Sequence, residues 1–254
     1  MPAKVAAIIC AAGPGKRFGG KRHKQFVDVA GRAVFLRSVE LFSNREDVKQ
    51  ILLGIPQEDE EIVTIRYGAN LSLFNVKLFI GGATRFETVN KAIALLKDEI
   101  ELVAIHDAAR CCVTEKWVDD VIKAAAKSGA AILACPVTAT LKEVKEGVIV
   151  KTIDRNGLYE AQTPQVFEKS LLKKSRESAL RQCSGQVDKA AAEKITDDSL
   201  LIEALGHNVA IVETDSSNIK ITHPADVAIA EAILKTQSQA KKTGYIGPFY
   251  EAQW

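Results

Sequence analysis

Val5-Ala6-Ala7-Ile8-Ile9-Cys10 runs directly into Ala11-Ala12-Gly13-Pro14-Gly15-Lys16-Arg17-Phe18-Gly19-Gly20-Lys21-Arg22-His23-Lys24, an apolar run that ends in a basic, glycine-rich turn. The first six residues form a short apolar, β-branched run, the pattern of a strand. A turn that directly follows the first strand of an open α/β sheet lies at its carboxyl edge, where ligands bind. Glycines let backbone N–H groups approach an anion closely, and five basic residues between Lys16 and Lys24 supply the opposing charge. The turn is built for a polyphosphate. A solvated basic turn is the plainer alternative, against which stands the coincidence of glycines, charge and strand end.

Two better-known phosphate loops are excluded. A dinucleotide fingerprint needs a third glycine where Phe18 stands. A P-loop matches at Gly15, Gly20 and Lys21, but Arg22 occupies the position whose hydroxyl should hold Mg²⁺.

Outward from this junction, short apolar runs alternate with amphipathic ones, which predicts βαβ units around a mainly parallel sheet. Strands are expected at Val5–Cys10, Gln50–Ile55, Val76–Ile80, Leu102–His106, Ala130–Cys135 and Asn208–Val212. Helical stripes run through Ala33–Ser43, Thr88–Lys97, Trp117–Lys127 and Asp226–Leu234. Pro136 to Thr152 breaks the alternation with two β-prone segments, Leu141–Val144 and Val148–Ile153, around a turn at Lys145–Gly147. By pattern alone this hairpin is either a projecting arm or an extra edge packed flat on the sheet. The stretch from Lys235 to Trp254 is polar and then aromatic, and is expected to dock loosely or stay disordered. Residues 1–236 are therefore expected to form a single domain, with the hairpin at about 136–152, and 237–254 a tail.

The 254 residues suffice for a sizeable core without staples. With 47% apolar residues, 26% charged and a net charge of +2, nothing asks for a membrane or a nucleic-acid partner. Five cysteines, Cys10, Cys111, Cys112, Cys135 and Cys183, are odd in number and lack a CxxC spacing, which fits a reduced compartment, the cytoplasm.

Two more clusters follow expected strands. Gly81-Gly82-Ala83-Thr84-Arg85 reads alone as a tight turn with an N-cap, and its interest lies in sharing an edge with the first loop. His106-Asp107-Ala108-Ala109-Arg110 sets a carboxylate beside a base at the mouth of the sheet. A lone aspartate near phosphates suits Mg²⁺, which keeps waters and takes one or two carboxylates plus substrate oxygens; an N-cap aspartate paired with Arg110 is the alternative. His106 reads as a packed strand-end residue, and Cys111 and Cys112 as buried small hydrophobes.

From Val5 to about Leu234 the chain resembles the 2-C-methyl-D-erythritol 4-phosphate cytidylyltransferases of the non-mevalonate isoprenoid pathway. The matching segments are Ala11-Ala12-Gly13-x-Gly15-x-Arg17 with Lys24-Gln25-Phe26, Gly81-Gly82 with Arg85 and Thr88-Val89, and His106-Asp107-Ala108-Ala109-Arg110. Further on come Asp154-Arg155-Asn156-Gly157-Leu158, Gln162-Thr163-Pro164-Gln165-x-Phe167, Thr196-Asp197-Asp198 and Asn218-Ile219-Lys220-x-Thr222-x-Pro224.

The resemblance implies an α/β, Rossmann-like three-layer nucleotidyltransferase fold with a mixed, mostly parallel sheet and a projecting β-hairpin arm. It implies transfer of CMP from CTP to a sugar-alcohol phosphate, with Mg²⁺ as cofactor and pyrophosphate released. Arg17 and Lys24 match the pair that stabilises the transition state, while Ala11, Ala12, Gly13, Gly15 and Lys16, with Gly82, Ala83 and Thr88, match the nucleotide site. Asp107 matches the Mg²⁺ ligand. Arg155 and Lys220 match residues that position the sugar phosphate, with Thr140, Arg110 and Thr163 in the substrate pocket. The family's homodimer implies that the arm brings Thr140 and Arg155 into a neighbouring site. The chain departs from the family at Ala83, commonly acidic near the nucleobase, and at Cys111, commonly proline. A ribitol-5-phosphate cytidylyltransferase is the nearest alternative, disfavoured by the segment around Arg155. A non-catalytic nucleotide-binding regulatory dimer is disfavoured because Arg17, Lys24 and Asp107 are all present.

Overall fold

A computed structural model of the chain describes residues 2–13, 15, 18, 24–182 and 189–243. The chain opens with β1 (Val5–Cys10), a 3₁₀ turn at Lys24–Phe26 and a small ribbon of β2 (Asp28–Val29) and β3 (Arg32–Ala33). Then come α1 (Val34–Ser43), β4 (Val48–Ile55), α2 (Glu60–Leu73), β5 (Val76–Ile80), α3 (Arg85–Ile93), β6 (Leu102–Asp107), α4 (Glu115–Ser128) and β7 (Ala130–Pro136). The hairpin strands β8 (Leu141–Lys145) and β9 (Val148–Ile153) precede β10 (Tyr159–Glu168). The chain continues through α5 (Lys169–Gln182), α6 (Lys189–Lys194), α7 (Ser199–Glu203), β11 (Ala210–Glu213) and α8 (Ala225–Thr243).

Seven strands form one sheet in the order β11-β7-β10-β6-β1-β4-β5, parallel except for β10, which runs antiparallel to both neighbours. Successive side chains of β1 take opposite faces. Val5, Ala7 and Ile9 pack with Phe35, Leu36 and Phe42 of α1 and Val118 of α4, while Ala6 and Ile8 pack with Val89 of α3 and Leu172 of α5. Both faces are thus covered, giving three layers, and this explains why β1 is apolar throughout rather than alternating.

The expected hairpin forms its own two-stranded sheet, pairs with no strand of the large one and is almost wholly exposed, so it projects as an arm. Glu146 and Gly147 both have positive φ, 51° and 80°, as a two-residue hairpin turn with the strands' own twist requires.

Three expectations need correction. The helix expected at Thr88–Lys97 starts at Arg85, where Thr84 caps it by accepting the Glu87 N–H, and stops at Ile93. Gln50 ends it: its side chain donates to Leu95 O at 2.8 Å and accepts the Lys97 N–H at 3.0 Å, holding 94–97 as a turn. The last strand is shifted from Asn208–Val212 to Ala210–Glu213 by its register with Ala131–Ala134. Helix α8 runs past Leu234 and through the expected boundary at 236/237 to Thr243, and Gln237 donates to Cys112 O at 2.8 Å. Residues 244–254 lie outside the described ones.

Candidate active site

From β1 the connections pass to β4 and β5 on one side, while β6 lies on the other, so the order of strands reverses beside β1. The carboxyl ends of strands at such a reversal are where open α/β sheets bind ligands. Register brings the three expected loops there: Cys10 pairs with Gly54 and with Asp107, Ala11 N–H donates to Gly54 O and Gly81 N–H to Ile55 O, both at 2.8 Å. A cavity of about 180 Å³ opens between them, lined by Ala11, Ala12, Gly13, Gly82, Ala83, Thr88, Asp107 and Lys220, together with Gln25 and Arg85.

Glycine is required at two points of this wall by space alone. A Cβ on Gly81 would lie 2.4 Å from Ala12 Cβ, and one on Gly82 would lie 2.2 Å from Glu87 Cβ. Thr88 is buried, and its hydroxyl accepts Gly82 N–H at 3.0 Å and donates to Thr84 O at 2.9 Å, folding the turn over the start of α3. Ala83 N–H donates to Glu87 Oε2 at 2.9 Å, so a carboxylate stands beside Ala83 although residue 83 is not itself acidic.

Asp107 is the focus of the charge. Lys220 Nζ donates to its Oδ2 at 2.5 Å and Arg85 Nε to its Oδ1 at 3.1 Å. Burial acts to raise its pKa, but the charges of Lys220, Arg85 and Arg110 outweigh burial and hold the carboxyl well below the usual carboxylate range. Its own N–H donates to Thr163 Oγ1 at 3.0 Å, and Thr163 Oγ1 lies 3.1 Å from His106 Nδ1. Thr163 is thus buried behind β6, fixing the strand end. His106 is fully buried against Phe42, and burial pushes its pKa down to about 4, leaving it neutral. This is the packed strand-end residue expected of it, and Cys111 and Cys112 are buried with Ile221 and Ala230.

Arg110 turns toward the far wall, donating to Asn218 O at 2.6 Å. Thr140 and Arg155 are exposed at the base of the arm, where Arg155 donates to Thr138 O, and neither lines the cavity of its own chain. Gly15 accepts Phe18 N–H in a turn. Lys24 opens the 3₁₀ turn, and Lys16 and Arg17 lie outside the described residues.

Two contributors were not anticipated from sequence. Gln25 is 2% exposed and its Nε2 has no partner among the described residues; the segment Lys24-Gln25-Phe26 contained it without giving it a task. Arg85 stood in a glycine turn that read as an N-cap, and only the fold shows its guanidinium reaching Asp107.

One carboxylate held ionised at the cavity, with no cluster of three metal-binding side chains among the described residues, fits a cation that borrows most of its ligands from a polyphosphate and water.

The family model of 2-C-methyl-D-erythritol 4-phosphate cytidylyltransferase matches residues 5–236. The 2-C-methyl-D-erythritol 4-phosphate cytidylyltransferase of Endomicrobium trichonymphae is 38% identical over 234 residues, covering 92% of this chain and 100% of the relative. That of Rhodopirellula baltica is 38% identical, covering 91% and 95%. Among solved structures, the 2-C-methyl-D-erythritol 4-phosphate cytidylyltransferase from Thermus thermophilus superposes with a TM-score of 0.74 at 31% identity, covering 91% of this chain and 99% of that one. The 4-diphosphocytidyl-2C-methyl-D-erythritol synthase from Anaerococcus prevotii gives 0.76 at 30% identity, covering 92% and 97%.

Proposed function

The chain belongs to the 2-C-methyl-D-erythritol 4-phosphate cytidylyltransferase family, and from that premise we propose how its residues divide the work. The reaction is CTP-dependent cytidylyl transfer to 2-C-methyl-D-erythritol 4-phosphate in isoprenoid precursor biosynthesis, giving the diphosphocytidyl product and pyrophosphate. The observation that carries the reading is Asp107, held ionised by Lys220 and Arg85 where the ends of β1 and β6 meet the glycine turns.

The nucleophile is an oxygen of a phosphate monoester, whose second pKa of about 6 leaves it largely dianionic at neutral pH. No general base is needed; the obstacle is repulsion between two anions. Catalysis then reduces to in-line positioning and neutralisation by preorganised cations. Ala11, Ala12, Gly13, Gly15 and Lys16 cradle the triphosphate, and Gly82, Ala83 and Thr88 border the base. Arg17 and Lys24 hold the α-phosphate and the charge that grows as pyrophosphate leaves. Asp107 would hold Mg²⁺, which when bound supplies Lewis acidity and a template for the phosphates. Lys220 and Arg155 grip the incoming phosphate, with Arg110 and Thr140 shaping its pocket; Thr163, expected in that pocket, is instead buried behind β6 and acts by fixing the strand end that carries Asp107.

Arg155 and Thr140 sit away from their own cavity, and the arm beside them exposes Val144, Val148, Ile149 and Val150. These two facts support a homodimer in which each arm completes the other chain's site. The reduced-thiol composition supports a cytoplasmic enzyme, and no described helix is long and apolar enough to cross a membrane. Pyrophosphate release from CTP, measured with 2-C-methyl-D-erythritol 4-phosphate and with ribitol 5-phosphate, each with and without Mg²⁺, tests the reading. Release with the first alone and only with Mg²⁺ is expected. Preference for ribitol 5-phosphate would reassign the substrate, and no release with either would leave a nucleotide-binding protein.

A further inference from the structure

Behind Asp107 the charges continue inward. Arg85 donates through Nη1 to Asp198 Oδ2 at 2.5 Å, and Arg176 donates through Nη2 to Asp198 Oδ1. Lys220, Asp107, Arg85, Asp198 and Arg176 thus form one string of alternating sign, from a half-exposed lysine to a buried arginine. The inner end is rigid. Arg176 also donates to Phe86 O at 2.9 Å and Asn90 Oδ1 at 2.7 Å, and stacks over the Phe86 ring at 4.7 Å. Asp198 N–H donates to Gln165 Oε1 at 3.0 Å.

We propose that Asp198 is a positioning residue for the transfer reaction: acting through Arg85, it fixes the place and orientation of the Asp107 carboxylate at the cavity. The proposal rests on the reading of Asp107 given above. Burying ionic groups is a weak route to stability, since apolar residues of similar volume commonly do as well. If Asp198 served only to tie α5 and α7 to α3, Arg176 alone would satisfy its charge. Its second oxygen instead takes Arg85, the first residue of α3 and part of the cavity wall. Arg85 is gripped on two sides, Nε by Asp107 and Nη1 by Asp198, so its planar guanidinium cannot swing without surrendering one contact. Released from Asp198, Arg85 would follow Asp107 rather than hold it, and Asp107 would be steered by Lys220 alone, whose side chain is 38% exposed.

The test is a double-mutant cycle on the full chain, with steady-state kinetics on CTP and melting of the ligand-free protein. Asp198→Asn is expected to lower kcat by about 10- to 100-fold, the usual loss when a residue that orients a ligating group is removed. The CTP KM should move far less, because the nucleotide walls remain. In an Arg85→Met background the same change should alter kcat by no more than about twofold, since the route through Arg85 is already cut, yet it should still lower Tm by breaking the Arg176 pair. Arg176→Met, which breaks that pair from its other side, should lower Tm while keeping kcat within about twofold of wild type. An equal kcat loss from Asp198→Asn in both backgrounds, or a kcat loss from Arg176→Met as large as that from Asp198→Asn, overturns the proposal. If Asp198→Asn does not fold, Asp198→Glu, which keeps the charge and moves the carboxylate, takes its place in the same cycle. An inactive wild type would instead strike the proposed function, so the two failures are told apart.

Discussion

Adding one methyl group at Gly81 tests whether the contact between the first and second loops sets the geometry of the nucleotide wall. In Gly81→Ala the new Cβ would stand 2.4 Å from Ala12 Cβ and 3.0 Å from Thr88 Oγ1. Ordinary carbon contacts lie at about 3.5–4.0 Å, so the two backbones must part by about 1 Å. No rotamer change relieves this, because the Ala12 methyl is fixed to its backbone. Overpacking of this kind costs about 1–3 kcal/mol, partly offset by about 0.4–1 kcal/mol from the less flexible unfolded chain. For a chain of this size the remainder lowers Tm by a few degrees. The functional effect should be larger, since misplacement by about 1 Å can cost about 100-fold in rate. The Gly81 N–H bond to Ile55 O and the Gly82 N–H bond to Thr88 Oγ1 would both be disturbed. Gly68→Ala is the matched control: it lies within α2 with nothing within 4 Å of the new Cβ, and should raise stability by about 0.5–1 kcal/mol with activity unchanged. The assay is kcat/KM for CTP alongside thermal melting of both variants. Full activity in Gly81→Ala accompanied by a lowered Tm would refute the reasoning, because the strain would then be absorbed without moving the site.

Stability should fall as pH drops from about 6.5 to about 4, because burial pushes the His106 pKa down to about 4 and the unfolded chain binds that proton first. The loss attributable to this group is roughly 3 kcal/mol, and denaturant titration of His106→Gln across that range should show a flatter profile; equal slopes would exclude His106 as the cause. Val148 and Val150 share one face of β9, 68% and 57% exposed. Each such side chain covered by a partner would contribute about 1.5–3 kcal/mol, so Val148→Glu with Val150→Glu should shift sedimentation toward monomer and lower kcat together. An unchanged dimer would exclude this face of the arm. Arg155→Ala should raise the KM for the sugar phosphate well above that for CTP, and an unchanged KM and kcat would remove Arg155 from the site.

How far the sequence could be read depended on whether each signal was local. β1, β4, β6 and β7 were legible because strands buried on both faces are apolar over most of their length, and the edge strand β5 because its residues other than exposed Lys77 are apolar; the loops after β1, β5 and β6 carried glycines or charge. Helix α2 was missed. Its buried stripe is Val63, Tyr67 and Leu71, but exposed Ile62, Ile65 and Leu73 spread apolar residues around the helix and blur the period. Strand β10 was missed because Pro164 interrupts it; the pairing with β7 shifts register between Ala161 and Gln165, as a residue without an N–H requires. Yet β10 is the strand that reverses the sheet and carries Thr163 and Gln165 to the backs of Asp107 and Asp198.

The same distinction separates the parts of the site. A charged residue directly after a strand announces itself by type and place, and so Asp107 could be named from the residues themselves, whereas Lys220 was named only through the family's motif around Asn218. A residue that meets only other residues leaves no such mark: Asp198 is 113 positions from Arg85 and Arg85 is 22 from Asp107, distances that only the packing of α3 and α7 onto one face of the sheet brings within hydrogen-bond reach. Charge that has been desolvated by other charge is invisible to composition, because the chain's net of +2 contains it already summed. What the fold adds is the order of those charges. An aspartate flanked by two cations at the end of β6 stays ionised whatever the bulk pH does near neutrality, and it can therefore face a polyphosphate without first losing a proton to it or taking one up.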